Sequence, residues 1–476
     1  MTTNGPATDR LLLASAMMGQ FVTGFASRIF IVALPTIATA LRADILAVGW
    51  ALIAYQLAGI SLSVVFGRMG DIRGRYAIYG LGFAVMAVSS LLCGLAPDVI
   101  VLIVFRLLQG VGAAMIASAT RVLAMEAMPP GAEGRANGFM TMSFHAGLLL
   151  GPPMGGLLID LLTWRWVFFL LVPVGAVGVL LTAMRARSRP APPGRRGAID
   201  HAGAGLLVVL TVALTLLLDR RGAELVGLGS PAVLGAVFLA ALVAFVARER
   251  RAVEPIVNFA LFRNRMFSFS VVSLLVISIT TSAQGFVLPF YLQDVLHLSP
   301  SAMGLLFLSA PVFTIGLAPV SGWLSDRVGP RIPTTIGVLF KMAAFAVGLL
   351  IAVDSSWIVP VLMMVFVGIG TGFFNTPNQA AILGSVPREY RGFATGMVQM
   401  VFGVSALLGT SLTGVLLTAL FQHYAGTPDA TPTAADPAAF VASIRTIHAG
   451  CLALMLLALF TSILRGGRKL TTPPNR

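Results

Sequence analysis

The chain has 476 residues, 57% of them hydrophobic and only 11% charged, with a mean hydropathy of +0.92. A soluble domain carries roughly 25% charged residues, so this composition excludes one and requires a membrane protein. The net charge of +14 does not indicate nucleic acid, because the arginines are dispersed and do not alternate with aromatic residues as a base-stacking surface would.

A bilayer-spanning helix needs about 20 apolar residues, and on that length the sequence predicts helices near 11–33, 46–66, 76–95, 99–121, 138–160 and 165–184. The short polar start with Arg10 before the first apolar run suits an uncleaved first span better than a removable signal. A Pro- and Arg-rich linker at 185–197 follows, then two apolar segments near 201–218 and 231–248. Six more spans are predicted near 267–290, 300–321, 332–352, 357–377, 392–420 and 443–464. The expected architecture is therefore all-α and integral to the membrane, with fourteen transmembrane helices. It divides into a six-helix bundle at 1–190, a linker with two inserted helices at 191–255, and a second six-helix bundle at 256–476. Cys93 and Cys451 lie inside apolar segments, which leaves no disulfide framework, no metal site and no cofactor.

Two stretches repeat one hairpin: GRMGDIRGR from Gly67 and GWLSDRVGPR from Gly322. Each puts Gly, Asp, Gly and Arg between long apolar runs, as a short polar turn between two membrane helices requires. In this reading Gly67, Gly74, Gly322 and Gly329 permit close approach and positive φ, while Asp71, Arg73, Arg75, Asp326 and Arg331 stay at the interface. Further landmarks recur at near-constant offset: Pro35 with Pro289, Arg135 with Arg391 and Gly147 with Gly403. Constant offset implies two homologous halves, a common arrangement in transporters. Lys and Arg bias sets the orientation. With the amino terminus cytoplasmic, the inner loops hold most of the arginines and the outer ones only Arg42, Arg165, Arg220, Arg221 and Arg445, so both termini are expected inside.

With these residues in view, the sequence resembles the major facilitator superfamily over nearly its whole length, and within it the fourteen-helix drug:proton antiporter branch. The loop motif is matched by Gly67, Asp71, Gly74 and Arg75 and again by Gly322, Asp326, Gly329 and Arg331. A helix 4 motif is matched by FRLLQGVGAA at 105–114, and the antiporter motif of helix 5 by GLLLGPPMGG, with Gly147, Gly151, Pro152, Gly155 and Gly156 in place. The resemblance implies a major facilitator fold, export by antiport, alternating access and a bacterial inner-membrane location. It also ties the arginine matching Arg106 to proton coupling.

The residues have readings of their own. Glycines four apart in helix 5 suit close helix packing, and Pro152 loosens the helix. Asp71 is either a latch pairing with arginines or with a helix start, or an ordinary topology-setting charge. Glu126 is a further partner for Arg73 or Arg75 on the first of those readings. Arg106 lies about 10 Å inside helix 4, where a charge costs at least ~2.5–3.5 kcal/mol. It is functional or it snorkels. Where helix 1 of the resembled branch carries an acid, this sequence has Ala26, with Arg28 two residues on. The embedded ionisable set is then Arg28, Arg106, His145 and Lys341, all cationic or neutral, which favours anionic, zwitterionic or neutral solutes. His145, with an ordinary pKa of about 6.5, is a proton-coupling candidate beside Arg106, or else a packing residue. Tyr55, Gln56, Gln109, Gln284, Asn375, Asn378 and Gln399 complete a substrate pathway, or tie helices together at ~0.6–2 kcal/mol per bond.

The expected function is a secondary active exporter of small amphipathic compounds driven by protons, working as a monomer in lipid. The alternative is a carrier or facilitator for an anionic or zwitterionic metabolite. An enzyme is not indicated: the sequence has no HExxH, no paired intramembrane carboxylates and no phosphate-binding loop.

Overall fold

The computed structural model describes residues 9–128, 133–188, 201–218, 230–249, 259–387, 391–427, 432 and 436–466, except for some side chains inside helices. The helices are α1 (Arg10–Ala40), α2 (Ile45–Arg73), α3 (Arg75–Gly94), α4 (Val99–Glu126), α5 (Glu133–Leu161), α6 (Trp166–Phe169), α7 (Leu171–Ser188), α8 (His201–Leu218) and α9 (Pro231–Glu249). They continue as α10 (Arg265–Phe290), α11 (Pro300–Phe307), α12 (Ser309–Val328), α13 (Arg331–Gly348), α14 (Ile358–Gly384), α15 (Arg391–Ala425) and α16 (Pro437–Leu464). A 3₁₀ turn, Phe259–Arg263, precedes α10 and a π turn, Tyr291–Val295, follows it.

Twelve helical stretches among the described residues are long and apolar enough to cross a bilayer. Neither α2, whose apolar part is Ile45–Gly59, nor α8 is among the twelve. Two of the twelve are interrupted by a one-residue break, at Leu170 and at Leu308. In each case a proline, Pro173 or Pro311, stands in the first turn after the break, where its missing N–H cannot continue the ladder.

The chain forms two compact units. The first comprises residues 1–245 with 299–305, and the second 246–298 with 306–476. Local geometry repeats along the chain between its two halves. Gly74 and Gly329, 255 positions apart (329 − 74), both have positive φ, +99° and +82°. Asp44 caps α2 by accepting from Ala47 N–H at 2.6 Å, and Ser299, again 255 on (299 − 44), accepts from Ala302 N–H at 3.2 Å. At the start of each half the cap of the first helix is tied to the end of the fourth. Asp9 N–H donates to Ala127 O at 2.8 Å, and Asn264 Nδ2 donates to Ser385 O at 2.8 Å. Short polar caps satisfy the orphan amides at helix starts, so duplicated caps preserve duplicated helix entry points.

The hairpin motif differs from the expected loop. α2 runs on through Asp71 to Arg73, leaving Gly74 as the only non-helical residue before α3. Most of the motif is therefore the last turns of a helix. Gly67 and Gly322 are neither at positive φ nor closely approached within their units: an added Cβ would stand 3.9 Å from Ser118 Cβ and 3.6 Å from Thr376 Cγ2. The demand for glycine falls on Gly74 and Gly329 alone. The inserted helices α8 and α9 bury Leu216 and Leu234 together against Trp50 of α2.

Candidate functional site

In the first unit, α4 carries Arg106 into the interior, where it is 1% exposed. Asp98 starts this helix by accepting from Val101 N–H at 2.9 Å, which fixes the register that turns Arg106 and Gln109 inward. The guanidinium carbon lies 4.3 Å from the ring centroids of both Phe30 and Tyr55, so the charge is held between two aromatic faces. Arg106 Nε donates to Ala51 O at 3.1 Å and Nη1 to Gln109 Oε1 at 2.5 Å, while Gln109 Nε2 donates to Ser90 Oγ at 2.7 Å. Arg106 Nη2 has no hydrogen-bond partner. The snorkelling geometry is not adopted. Stacking on a desolvated aromatic face contributes about 2 kcal/mol or more, which helps offset burial of the charge.

The helix 5 glycines form a seam along α1. A Cβ on Gly147 would strike Phe21 O and stand 2.7 Å from Phe25 N. On Gly151 it would stand 3.0 Å from Ile29 N and 3.2 Å from Arg28 Cβ, and on Gly155 it would stand 2.9 Å from Ile29 O. Backbones approach this closely only where side chains are absent. The other side of the motif meets residues 299–305 of the same unit. Gly156 abuts the Pro300 carbonyl, Gly304 abuts the Pro152 carbonyl, and Ser301 N–H donates to Asp160 Oδ2 at 3.0 Å. Ala26 is buried, and Arg28, midway along α1, has an exposed side chain. Half-buried His145 meets Phe144 edge to face at 5.8 Å. Tyr55 is buried and Gln56 is half-buried with Oε1 unpartnered.

At the far end of the unit, Arg75 Nη1 lies 2.9 Å from Glu126 Oε1, both about one-third exposed. Beside them is a cavity of about 200 Å3 lined by Phe66, Gly67 and Gly70 of α2, Arg75 of α3 and Ser118 and Val122 of α4. The side chains of Asp71, Arg73, Asp326 and Gln399 lie outside the described residues. Arg185, in the last turns of α7, forms an ion pair with Asp9.

In the second unit, Lys341 of α13 is 3% exposed and its Nζ donates to Thr281 Oγ1 of α10 at 2.7 Å. Its stem fits because the facing position is Gly370, where a Cβ would stand 2.6 Å from Lys341 Cγ. Gln284, one turn beyond Thr281, is buried with Nε2 unpartnered. Asn375 is half-buried, whereas Asn378 is fully buried and engaged. Asn378 Oδ1 accepts from Arg465 Nη1 at 2.7 Å, and its Nδ2 donates to Ser270 O at 3.2 Å.

Two buried basic side chains among the described residues are missing from the sequence-derived set. Arg465, just beyond α16, is 2% exposed and also donates to Ser273 Oγ at 3.2 Å. It closes an apolar run and so reads as the first residue of a basic tail. His448, within the predicted last span, is 3% exposed, with its ring 5.9 Å from Phe345 and packed against the backbone at Gly348. The reading of His145 as the sole embedded histidine is thereby corrected. Among the described residues no cluster of His, Cys, Asp or Glu could hold a metal ion.

Two bundles of long apolar helices, each with buried polar groups at mid-helix depth, define a multi-pass membrane transporter. The profile of the Major Facilitator Superfamily matches residues 16–410 and 266–465, and the chain belongs to that family of transporters, not of enzymes. It is 32% identical over 414 residues to the tetracenomycin C resistance and export protein of Streptomyces glaucescens, covering 85% of this chain and 75% of that one. It is 27% identical over 401 residues to the riboflavin transporter RibZ of Clostridioides difficile, covering 84% and 86%. A multidrug transporter of Bacillus subtilis, MdtP, is 26% identical over 429 residues, covering 88% and 77%. Among solved structures, an inward-facing, unoccupied bacterial homologue of the human lysosomal transporter Spinster aligns with a TM-score of 0.66 at 16% identity, covering 96% of each chain. The nucleoside transporter NupG aligns at 0.63 and 13%, covering 95% and 99%. At these identities the structures speak for the fold alone.

Proposed function

We propose that the chain is a secondary active transporter that exports small amphipathic compounds across a bacterial inner membrane in exchange for protons, by alternating access. In this reading α2 and α8 join the twelve apolar stretches to make fourteen spans, with both termini cytoplasmic. Functionally the chain divides into bundles at 1–190 and 256–476 with the inserted pair between them. The supporting observation is the α5 seam: Gly147, Gly151 and Gly155 lie backbone to backbone on α1, and the motif that supplies them accompanies antiport in the resembled branch. Relatives named for tetracenomycin C export, multidrug transport and riboflavin transport agree with an amphipathic cargo. Arg106 and His145 are the proton-coupling candidates in the first bundle. The test is reconstitution with an imposed ΔpH. Accumulation of a fluorescent probe such as ethidium or riboflavin should follow the gradient, and indifference to ΔpH with every probe refutes the coupling.

A second reading is favoured by Lys341 and Ala26. A buried ammonium and no helix 1 carboxylate suit an anionic or zwitterionic solute, carried with or without a proton. Lys341→Gln should then abolish uptake of an anionic probe such as fluorescein and spare a neutral one.

A further inference from the structure

A helix side that meets lipid is lined with apolar residues. In the first unit α3 exposes Leu81, Val88 and Leu91, and α9 exposes Val233, Val237, Leu239 and Val243. α1 exposes no large apolar side chain beyond Leu11 in its first turn. It packs against α2, α4, α5 and α7, and from Ser15 to Ala38 every residue but one is buried or half-buried. The exception is Arg28, midway along the helix. An ionisable side chain at that depth faces protein or water, because contact with hydrocarbon is costly. With no apolar stripe beside it, the open side of α1 at Arg28 is a wet one.

The packing around it presents the side chain. Gly151 of α5 faces the stem: a Cβ there would stand 3.2 Å from Arg28 Cβ and 3.0 Å from Ile29 N. Phe30, two residues on and so about 200° round the helix, lies instead against the guanidinium of Arg106. The two arginines therefore differ in kind. Arg106 is enclosed between rings and bonded to Ala51 and Gln109, whereas Arg28 has neither hydrogen bond nor ion pair among the described residues. α1 contains no carboxylate, and those of α5, Glu133 and Asp160, stand at its ends. Lys341 of the second unit is 3% exposed and bonded to Thr281, so a solute meets its field and not its ammonium. Arg28 is the cation that a solute can touch.

We infer that Arg28 determines specificity in the first unit: its guanidinium receives the carboxylate, sulfonate or phosphate of an anionic or zwitterionic cargo, and the charge at this position sets the sign of cargo accepted. A guanidinium fork takes such groups through two parallel charge-assisted bonds. The inference rests on the second reading above and names the residue that touches the solute.

The test measures binding of fluorescein, riboflavin and ethidium, as anionic, neutral and cationic probes, by fluorescence polarisation to the full chain in detergent. Wild type and Arg28→Cys are compared before and after aminoethyl methanethiosulfonate, which restores an ammonium, or sulfonatoethyl methanethiosulfonate, which places an anion there. Both reagents attack the thiolate, which forms only where water reaches it. Wild type, with Cys93 buried and Cys451 half-buried, is the control for the native cysteines, and thermal unfolding establishes that each protein is folded. Arg28→Cys should weaken fluorescein binding by about tenfold or more and leave riboflavin within about twofold. The ammonium should restore fluorescein, and the sulfonate should turn the preference to ethidium. Arg28→Lys and Arg28→Gln give the same comparison without a reagent: the first should retain fluorescein and the second lose it. Arg28→Cys that binds fluorescein as wild type does overturns the inference alone and leaves the second reading to Lys341. A thiol at position 28 that reacts with neither reagent lies against lipid, and overturns it. Equal weakening of all three probes, unrelieved by the ammonium, assigns Arg28 to packing and overturns it as well. A wild type that does not bind fluorescein overturns the second reading and the inference with it.

Discussion

Arg42 and His297 are the two non-glycine residues with positive φ among those described, at +49° and +53°, and they stand 255 positions apart (297 − 42). Each follows the last helical turn of its first transmembrane element. After α1, Ala43 N–H donates to Ala38 O at 2.9 Å and Arg42 N–H to Thr39 O at 3.3 Å, the six-to-one and five-to-two bonds of a Schellman ending. After the π turn, Leu298 N–H reaches back to Leu292 O at 2.9 Å, one residue further because the wider turn has added one. Glycine usually holds this position, and a side chain there costs roughly 1–2 kcal/mol. Arg42→Gly and His297→Gly should each stabilise the protein by about 1 kcal/mol, seen as a rise in the thermal midpoint in detergent. A lowered midpoint for both would mean that the side chains contribute more than the strain they impose.

The glycines of the motifs divide into two kinds, and substitution should separate them. Gly147→Ala and Gly156→Ala put a methyl group into backbone carbonyls that a packed helix cannot withdraw. Overpacking of this sort costs typically 1–3 kcal/mol, so both should lower the thermal midpoint and the folded yield. Gly67→Ala and Gly322→Ala meet only ordinary contacts. Both should leave stability within about 0.5 kcal/mol of wild type. If Gly67→Ala nonetheless stops transport in a protein that unfolds normally, the glycine serves the moving cycle and not the resting fold.

Much of this fold can be read in advance, for reasons that also mark the limit. An apolar run of bilayer length announces a helix whatever its neighbours do, so α3, α8 and α9 fall within one or two residues of the spans expected from composition. The ends are harder: α2 continues to Arg73 because GRMGDIR, though polar enough to resemble a loop, contains nothing that stops a helix until Gly74 turns to positive φ. Side-chain direction is harder still. A soluble helix shows its buried face by a polar stripe on the other, but helices with apolar residues all round give no such mark. That Arg106 turns between Phe30 and Tyr55 while Arg28 stays exposed depends on which helices meet there. Arg465 escapes notice because it directly follows an apolar run, where a basic residue is expected to face water.

The box around Arg106 makes a graded prediction. Tyr55→Phe keeps the aromatic face and should change little, whereas Tyr55→Leu removes one of two stacked rings and should cost about 1–2 kcal/mol. Arg106→Lys keeps the charge but cannot reproduce the bonds to Ala51 and Gln109, and it should be the more damaging change for both stability and transport. Transport by Arg106→Lys at the wild-type rate would show that charge alone is used.

By contrast, the Arg75–Glu126 pair should matter little to stability. Both side chains are about one-third exposed, and pairs of that kind contribute about 0–1 kcal/mol. Glu126→Gln and Arg75→Gln should therefore unfold close to wild type. If either slows transport, reversing both charges together should restore it only when the pair acts as a latch. Transport rates of the single and double variants at fixed ionic strength decide the point.

Arg465 and Asn378 set the strongest stability prediction. The guanidinium is buried, with Nη1 donating to the Asn378 amide oxygen at 2.7 Å and Nη2 to the Ser273 hydroxyl at 3.2 Å. Asn378→Leu removes the nearer acceptor and leaves a cation facing hydrocarbon, a change that costs about 3–5 kcal/mol when the partner of a buried charge is lost. Arg465→Met removes the charge and orphans only an amide oxygen, at about 1–3 kcal/mol. The double variant Arg465→Met, Asn378→Leu replaces the whole pair by apolar groups, and it should be more stable than Asn378→Leu alone. Thermal unfolding of the four proteins closes the cycle. Additive losses would show that the two side chains do not depend on each other, and that Arg465 draws its support from Ser273 and the backbone instead.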